Sequence, residues 1–231
     1  MRKKRKLAVF DIDGTIFRSS LLIEVVEEMI ARDIFPVSAR KQYQKAKENW
    51  QNRRGEYEDY ILGVVRAFER NTRGIRFSDF ERSARAVIAA SKDRVYRYTR
   101  DLARELKRKN YYLLAISHSP KYIVHDFALK LGFNKTYGRI LEWDKNKKLT
   151  GRTHYEDLIM DKEKILKRAI DKEGLTLRGS VGVGDTDSDI SFLELVDNPI
   201  CFNPNSGLYR IARRRGWKIV IERKDVIYQL K

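Results

Sequence analysis

Two short apolar runs, each breaking off on a cluster of acids, constrain what this chain can fold into more than any other feature. Leu7-Ala8-Val9-Phe10 is too short for a helix and reads as a buried strand. It runs straight into Asp11-Ile12-Asp13-Gly14-Thr15. Side chains two apart on an extended segment point the same way, so Asp11 and Asp13 leave the strand end side by side, and Gly14 lets the chain turn away from them. Two carboxylates so placed repel unless a cation sits between them, and a hard divalent ion is the simplest candidate. Taken alone, the segment is explained equally well by an ordinary turn carrying solvated acids. Far downstream, however, Ser180-Val181-Gly182-Val183-Gly184 is a second short strand followed at once by Asp185-Thr186-Asp187-Ser188-Asp189. Ligands of open α/β sheets bind beyond the carboxyl ends of the strands, where both acid clusters would stand.

Between them a third apolar run, residues 111–116, ends in Ser117-His118-Ser119. A helix start bearing lysine, Asp161-Lys162-Glu163-Lys164, precedes the second acid cluster. Acid, hydroxyl, lysine and acid therefore follow one another at element boundaries. In that order they resemble the four motifs of the haloacid dehalogenase superfamily of phosphohydrolases, in its phosphoserine-phosphatase-like branch, over residues 11–189.

The alternation of strands and helices predicts an α/β fold with a doubly wound parallel sheet, a Rossmann-like core. No strand pattern interrupts residues 19–91, so these are read as a helical insert after the first strand, with residues 1–18 and 92–231 as the core. The resemblance implies that the insert is a cap that closes over the catalytic face and selects the substrate. Within it, apolar positions predict a helix burying Leu22, Val25, Val26, Met29 and Ile30. A polar helix is expected from Pro36 to about Trp50, and a third with Tyr57, Ile61, Leu62, Val65 and Phe68 on its inner face. Residues 117–120 read as a loop, residues 138–151 as a hairpin of the core, and residues 218–221 as the last strand.

The resemblance also implies roles. Asp11 is the nucleophile that becomes an aspartyl phosphate, and Asp13 the general acid and base. Mg²⁺ is held by Asp11, the Asp13 carbonyl and Asp185. Ser117 donates to a phosphoryl oxygen, and Lys162 neutralises transition-state charge, chosen over Lys164 because the spacing Lys-x-x-Ile-Leu fits it. Asp189 and Thr15 support this set, and Asp187 is surface. His118, next to Ser117, is placed against substrate, whereas His125 and His154 are structural. Phosphoserine-specific members carry a glutamate where this chain has Ser20, with Glu24 one turn further on. The expected substrate is accordingly a small phosphorylated metabolite bound partly through Ser20, and one other than phosphoserine. Arg53, Arg54 and Arg66 could hold a carboxylate or second phosphate, or simply be exposed charge.

Lys and Arg total 49 against 32 Asp and Glu, giving a net charge of +17 that favours anionic ligands in general. Three other readings stay open: phosphoserine phosphatase, a phosphotransferase of the same superfamily, and a nucleic-acid-binding protein with relic motifs. The intact set Asp11, Asp13, Ser117, Lys162 and Asp185 argues against the last. The single Cys201 excludes an internal disulfide and reads as a buried hydrophobe. The basic run Arg2-Lys3-Lys4-Arg5-Lys6 precedes too short an apolar stretch for a secretory signal, and no segment is long enough to span a membrane. The expected location is the cytoplasm; the oligomeric state is not encoded in any of these patterns.

Overall fold

A strand apolar on both faces suits only the interior of a covered sheet. Strand β1 (Lys6–Asp11) lies there in the structure, a computed structural model that describes residues 4–230. Residues 2 and 3 of the basic run lie outside the described residues. β1 pairs in parallel with β2 (Tyr112–Pro120) on one side and β5 (Thr176–Gly184) on the other. Outward from β2 comes the first part of β3 (Lys135–Trp143), and outward from β5 come β6 (Asn198–Phe202) and β7 (Lys218–Arg223), all parallel. A further strand, β8 (Val226–Leu230), runs antiparallel to β7, so the sheet is mixed and not wholly parallel as expected. The cause is the tight turn at Lys224, whose positive φ of 53° sends the chain straight back.

Alternation along β1 divides the core. Leu7 and Val9 face Ile165, Leu166 and Ala169 of α8 (Lys162–Glu173) together with residues of α9 (Ile190–Leu193) and α10 (Ser206–Arg215). Phe10 turns to the opposite face and meets Phe133 edge-on, with ring centroids 5.6 Å apart. Each fully buried side chain of this size contributes about 1.5–3 kcal/mol. Helices α5 (Arg97–Arg108) and α6 (Lys121–Lys130) belong to the same unit, and a short α7 (Glu156–Ile159) precedes α8. β2 is extended through residues 117–120, which the sequence reading had made a loop.

The chain divides into two compact units. Met1–Arg18, Asp93–Arg139 and Tyr155–Lys231 make the α/β unit; Ser19–Lys92 and Ile140–His154 make the other. The second unit holds α1 (Leu21–Ala31), α2 (Gln44–Gln51), α3 (Tyr57–Thr72), α4 (Phe77–Ser91) and the hairpin of the end of β3 with β4 (Leu149–His154). The hairpin thus groups with the helices and not with the core. Backbone N–H groups of Gly74 and Phe77 donate to Leu149 and Lys147 carbonyls at 2.8 Å, so the link between α3 and α4 offers the hairpin a strand edge.

α1 starts at its Ser20 cap and buries the five residues expected. The helix expected from Pro36 to Trp50 is instead a 3₁₀ segment, Val37–Gln42, followed by α2. Tyr43 breaks it by turning its ring inward, where its hydroxyl donates to Glu27 Oε1 at 2.8 Å. α3 buries Tyr60, Gly63, Val64, Ala67 and Phe68 and exposes Leu62, a phase rotated from the expected stripe. Gly63 accounts for the rotation: a Cβ there would lie 2.8 Å from the Gln42 carbonyl oxygen, so the smallest residue marks the closest approach. Among the described residues no helix is long and apolar enough to cross a membrane.

Candidate active site

The register sets Asp11 opposite Ile116 of β2 and Phe10 opposite Val183 of β5, so the carboxyl ends of three adjacent strands meet. Immediately beyond, the chain turns at Gly14 with φ of +81°. Glycine is needed there twice over, because a Cβ would also stand 2.1 Å from Asp185 Oδ2. Thr15 Oγ1 then donates to Asp185 Oδ1 at 3.0 Å, joining the first motif to the second acid cluster.

Lys162 opens α8, next to the Asp161 cap, and is 3% exposed. Its Nζ donates to Asp11 Oδ1 at 2.8 Å and to Asp189 Oδ1 at 2.5 Å. Lys164 is exposed and pairs with Asp161 instead, so Lys162 is the lysine that reaches the acids. The other oxygen of Asp189 accepts from the backbone N–H groups of Asp185 and Thr186 at 2.9 and 3.1 Å, fixing the loop that carries Asp185. Asp187 is exposed, as expected, yet its Oδ1 accepts from Leu208 N at 2.9 Å and so secures the start of α10.

Asp13 Oδ2 accepts from the hydroxyls of both Ser117 and Ser119. Ser117, expected to serve a phosphoryl oxygen, is thus bonded to Asp13 in the structure, and its Oγ also accepts from Ser119 N at 2.9 Å. Ser119 was not singled out from the sequence; the signal was its spacing of two from Ser117 on an extended strand, which puts both on one face. His118 alternates to the other face. Burial, then the charge of Lys162, pushes its pKa down to about 4, and its Nε2 is buried without a hydrogen-bond partner. Ser20 belongs to the helical unit, where its Oγ accepts from Leu22 N at 3.2 Å and caps α1. His125 bonds to Thr136 at 3.2 Å.

The charges in this group do not balance. Asp11, Asp185 and Asp189 each present a carboxylate oxygen within 4.8 Å of the others, around one ammonium. Burial is the largest influence on Asp11 and raises its pKa; Lys162 pulls it back, Asp189 and Asp13 raise it again, and it stands at about 8. Burial, then Asp11 and Asp189, also lifts Asp185. Burial works against the charge on Lys162, but Asp11 and Asp189 outweigh it and keep the amine protonated. Asp11 Oδ2 is buried and has no partner at all. A buried acceptor left over beside clustered hard oxygen donors fits a divalent cation.

The chain matches the model of a family described as haloacid dehalogenase-like hydrolase over residues 8–194. It is 25% identical over 211 residues to a phosphoserine phosphatase of Archaeoglobus fulgidus, covering 91% of this chain but 56% of that protein's length. It is also 25% identical over 232 residues to a phosphoserine phosphatase of Methanocaldococcus jannaschii, covering 100% and 99% of the two chains. Among solved structures, a phospho-aspartyl intermediate analogue of phosphoserine phosphatase superposes with a TM-score of 0.64 at 22% identity, covering 96% of each chain. A Bordetella pertussis protein of unknown function gives 0.68 at 21% identity, covering 95% of this chain and 99% of the other. At these identities the structural likeness speaks to the fold.

Proposed function

The chain belongs to the haloacid dehalogenase-like hydrolase family, and from that premise we propose that it is a phosphatase, a hydrolase of phosphomonoesters acting on small phosphorylated metabolites through Asp11. The observation that carries this reading is the state of Asp11. One oxygen is fixed by Lys162 at 2.8 Å and the other is buried without a partner, as a nucleophile poised in a dry site requires.

Asp11 attacks phosphorus and displaces the alcohol, whose oxygen takes the proton of Asp13. Water then attacks the aspartyl phosphate, gives its proton to Asp13, and frees inorganic phosphate and Asp11. The Ser119 hydroxyl holds Asp13 through both steps, and the Ser117 hydroxyl, bonded to Asp13 in the structure, is assigned to a phosphoryl oxygen once substrate is present. Lys162 stays protonated and opposes the negative charge that grows on the phosphoryl group. Mg²⁺ is the cation we assign to Asp11, Asp185 and the Asp13 carbonyl; when bound it supplies positive charge to the phosphate oxygens. The relatives named as phosphoserine phosphatases make that ester the first to compare, but Ser20 offers no carboxylate to an ammonium and its hydroxyl is engaged in a helix cap. We therefore assign a different metabolite.

The test is phosphate release from a generic aryl phosphate, with Mg²⁺ or with chelator, for wild type and Asp11→Asn. Release that needs both the metal and Asp11 supports the reading, and release that survives Asp11→Asn sinks it. Efficient phosphoserine turnover that Ser20→Ala abolishes would overturn the substrate assignment alone.

A further inference from the structure

One basic side chain at the end of the turn that leaves Asp11 is unused by the reaction just described. Arg18 ends the segment that begins at Asp11, three residues past the Thr15 that bonds Asp185. Its backbone N–H donates to the Arg94 carbonyl at 3.0 Å, next to the bridge between Phe17 and Val95. Its guanidinium lies over the ring of Tyr96, 5.6 Å from the centroid, although the residue is exposed and no carboxylate among the described residues lies within ion-pair reach of it.

Tyr96 is itself anchored. Its N–H donates to the Ile16 carbonyl at 2.9 Å, its ring meets Phe202 edge-on at 4.9 Å, and its hydroxyl reaches the side chain of Asn203. Two residues on, Asn205 N donates to the Asp185 carbonyl at 2.8 Å. Burial raises the pKa of Tyr96, Asp185 raises it further and Arg18 lowers it, so both charges act on one hydroxyl. The first turn, the entry to α5 and the loop after β6 therefore converge beside Asp185, with a cation on top. A guanidinium held over a ring by its charge leaves its N–H donors for other partners, in the fork that matches a phosphate or carboxylate.

We propose that Arg18, held over the Tyr96 ring at the end of the first turn, binds a second phosphate group of the substrate, so that the preferred metabolite carries two phosphates. The proposal rests on the hydrolase reading above and narrows it. A second phosphate, and not a carboxylate, is favoured by its larger negative charge, which the guanidinium and the chain's net charge of +17 attract more strongly than a single carboxylate charge.

The experiment compares kcat/KM for propane-1,3-diol bisphosphate, propyl phosphate and 3-phosphooxypropanoate in the presence of Mg²⁺. Wild type is expected to favour the bisphosphate over propyl phosphate by roughly tenfold to a hundredfold, the range of a charge-assisted bond. Arg18→Ala should bring that ratio down to about the twofold that two equivalent esters give, and Arg18→Lys, which keeps the charge but loses the fork, should leave an intermediate ratio. Because each ratio is taken within one protein sample, a variant that folds poorly leaves it unchanged. Equal efficiency on bisphosphate and monophosphate, a preference for the carboxylate ester, or a ratio that survives Arg18→Ala each overturns the proposal while leaving the hydrolase reading intact. Release from no ester, the aryl phosphate included, overturns both.

Discussion

The protein contains two acid–base networks built on opposite principles. In the helical unit Glu27 accepts from Arg40 at 2.8 Å and from the Tyr43 hydroxyl at 2.8 Å, with Lys47 at 4.0 Å. One carboxylate is answered by two cations and a phenol, and the charged side chains remain about a third exposed. At the strand ends the proportions are reversed, with Asp11, Asp185 and Asp189 gathered around Lys162 at 3% exposure. The first network is complete as it stands. The second has surplus charge and an unpartnered oxygen, and nothing among the described residues supplies what it lacks. An incomplete network kept in a dry position marks a place where a ligand finishes the structure.

The comparison can be broken most directly at Asp11. Asp11→Asn is expected to cost phosphate release at least ~10⁴-fold while the melting temperature stays level or rises, because the substitution replaces an acid whose ionisation the fold opposes with a neutral group of the same shape. A matching loss of stability would mean that Asp11 is structural after all. Removing the cation from each network sharpens the contrast. Lys162→Ala strands buried carboxylates and should cost about 3–5 kcal/mol in urea unfolding, whereas Arg40→Ala should cost about 1 kcal/mol or less because its ion pair is solvated. Comparable values would erase the distinction.

A third expectation follows from Asp11 holding its proton up to about pH 8 in the folded chain, against about 4 for an ordinary aspartate. Between those limits the folded state keeps a proton that the unfolded chain gives up. Metal-free wild type should therefore lose stability relative to Asp11→Asn as pH rises from about 4 to about 8, and level off beyond. Mg²⁺ should shrink the difference; melting curves of both proteins across pH, with and without the ion, decide it. The smallest effect is set for Ser119→Ala, which leaves Asp13 one hydroxyl in place of two and should lower kcat about tenfold with little change in KM.

Much of this was legible because it depends on local pattern. An apolar run too short for a helix, carbonyl-end acids and the period-two rule were enough to place Asp11 beside Asp13 at a strand end. The inner face of α1 was equally readable. What escaped the sequence depends on which segments touch. The phase of α3 is set by Gly63 meeting Tyr43, and the break before α2 by Tyr43 turning toward Glu27; neither partner is near in the chain. β8 follows from one positive φ at Lys224, and the hairpin's attachment from backbone bonds at residues 74–77. Ser119 was missed because residues 117–120 read as a loop, where a spacing of two carries no meaning. Asp187 looked like surplus charge, and its bond to the start of α10 is visible only with the fold in hand.

The bonds that assemble the acid cluster close very long stretches of chain. Lys162 is separated from Asp11 by 151 residues and Thr15 from Asp185 by 170. Contacts that distant form late, after the loops between them have been closed at an entropic cost. On a growing polypeptide Asp11 emerges long before Lys162 and Asp185, so its carboxylate waits through the 151 residues up to Lys162 before the ammonium that bonds it exists. The acid cluster is therefore a property of the whole α/β unit, complete only once β5 lies beside β1.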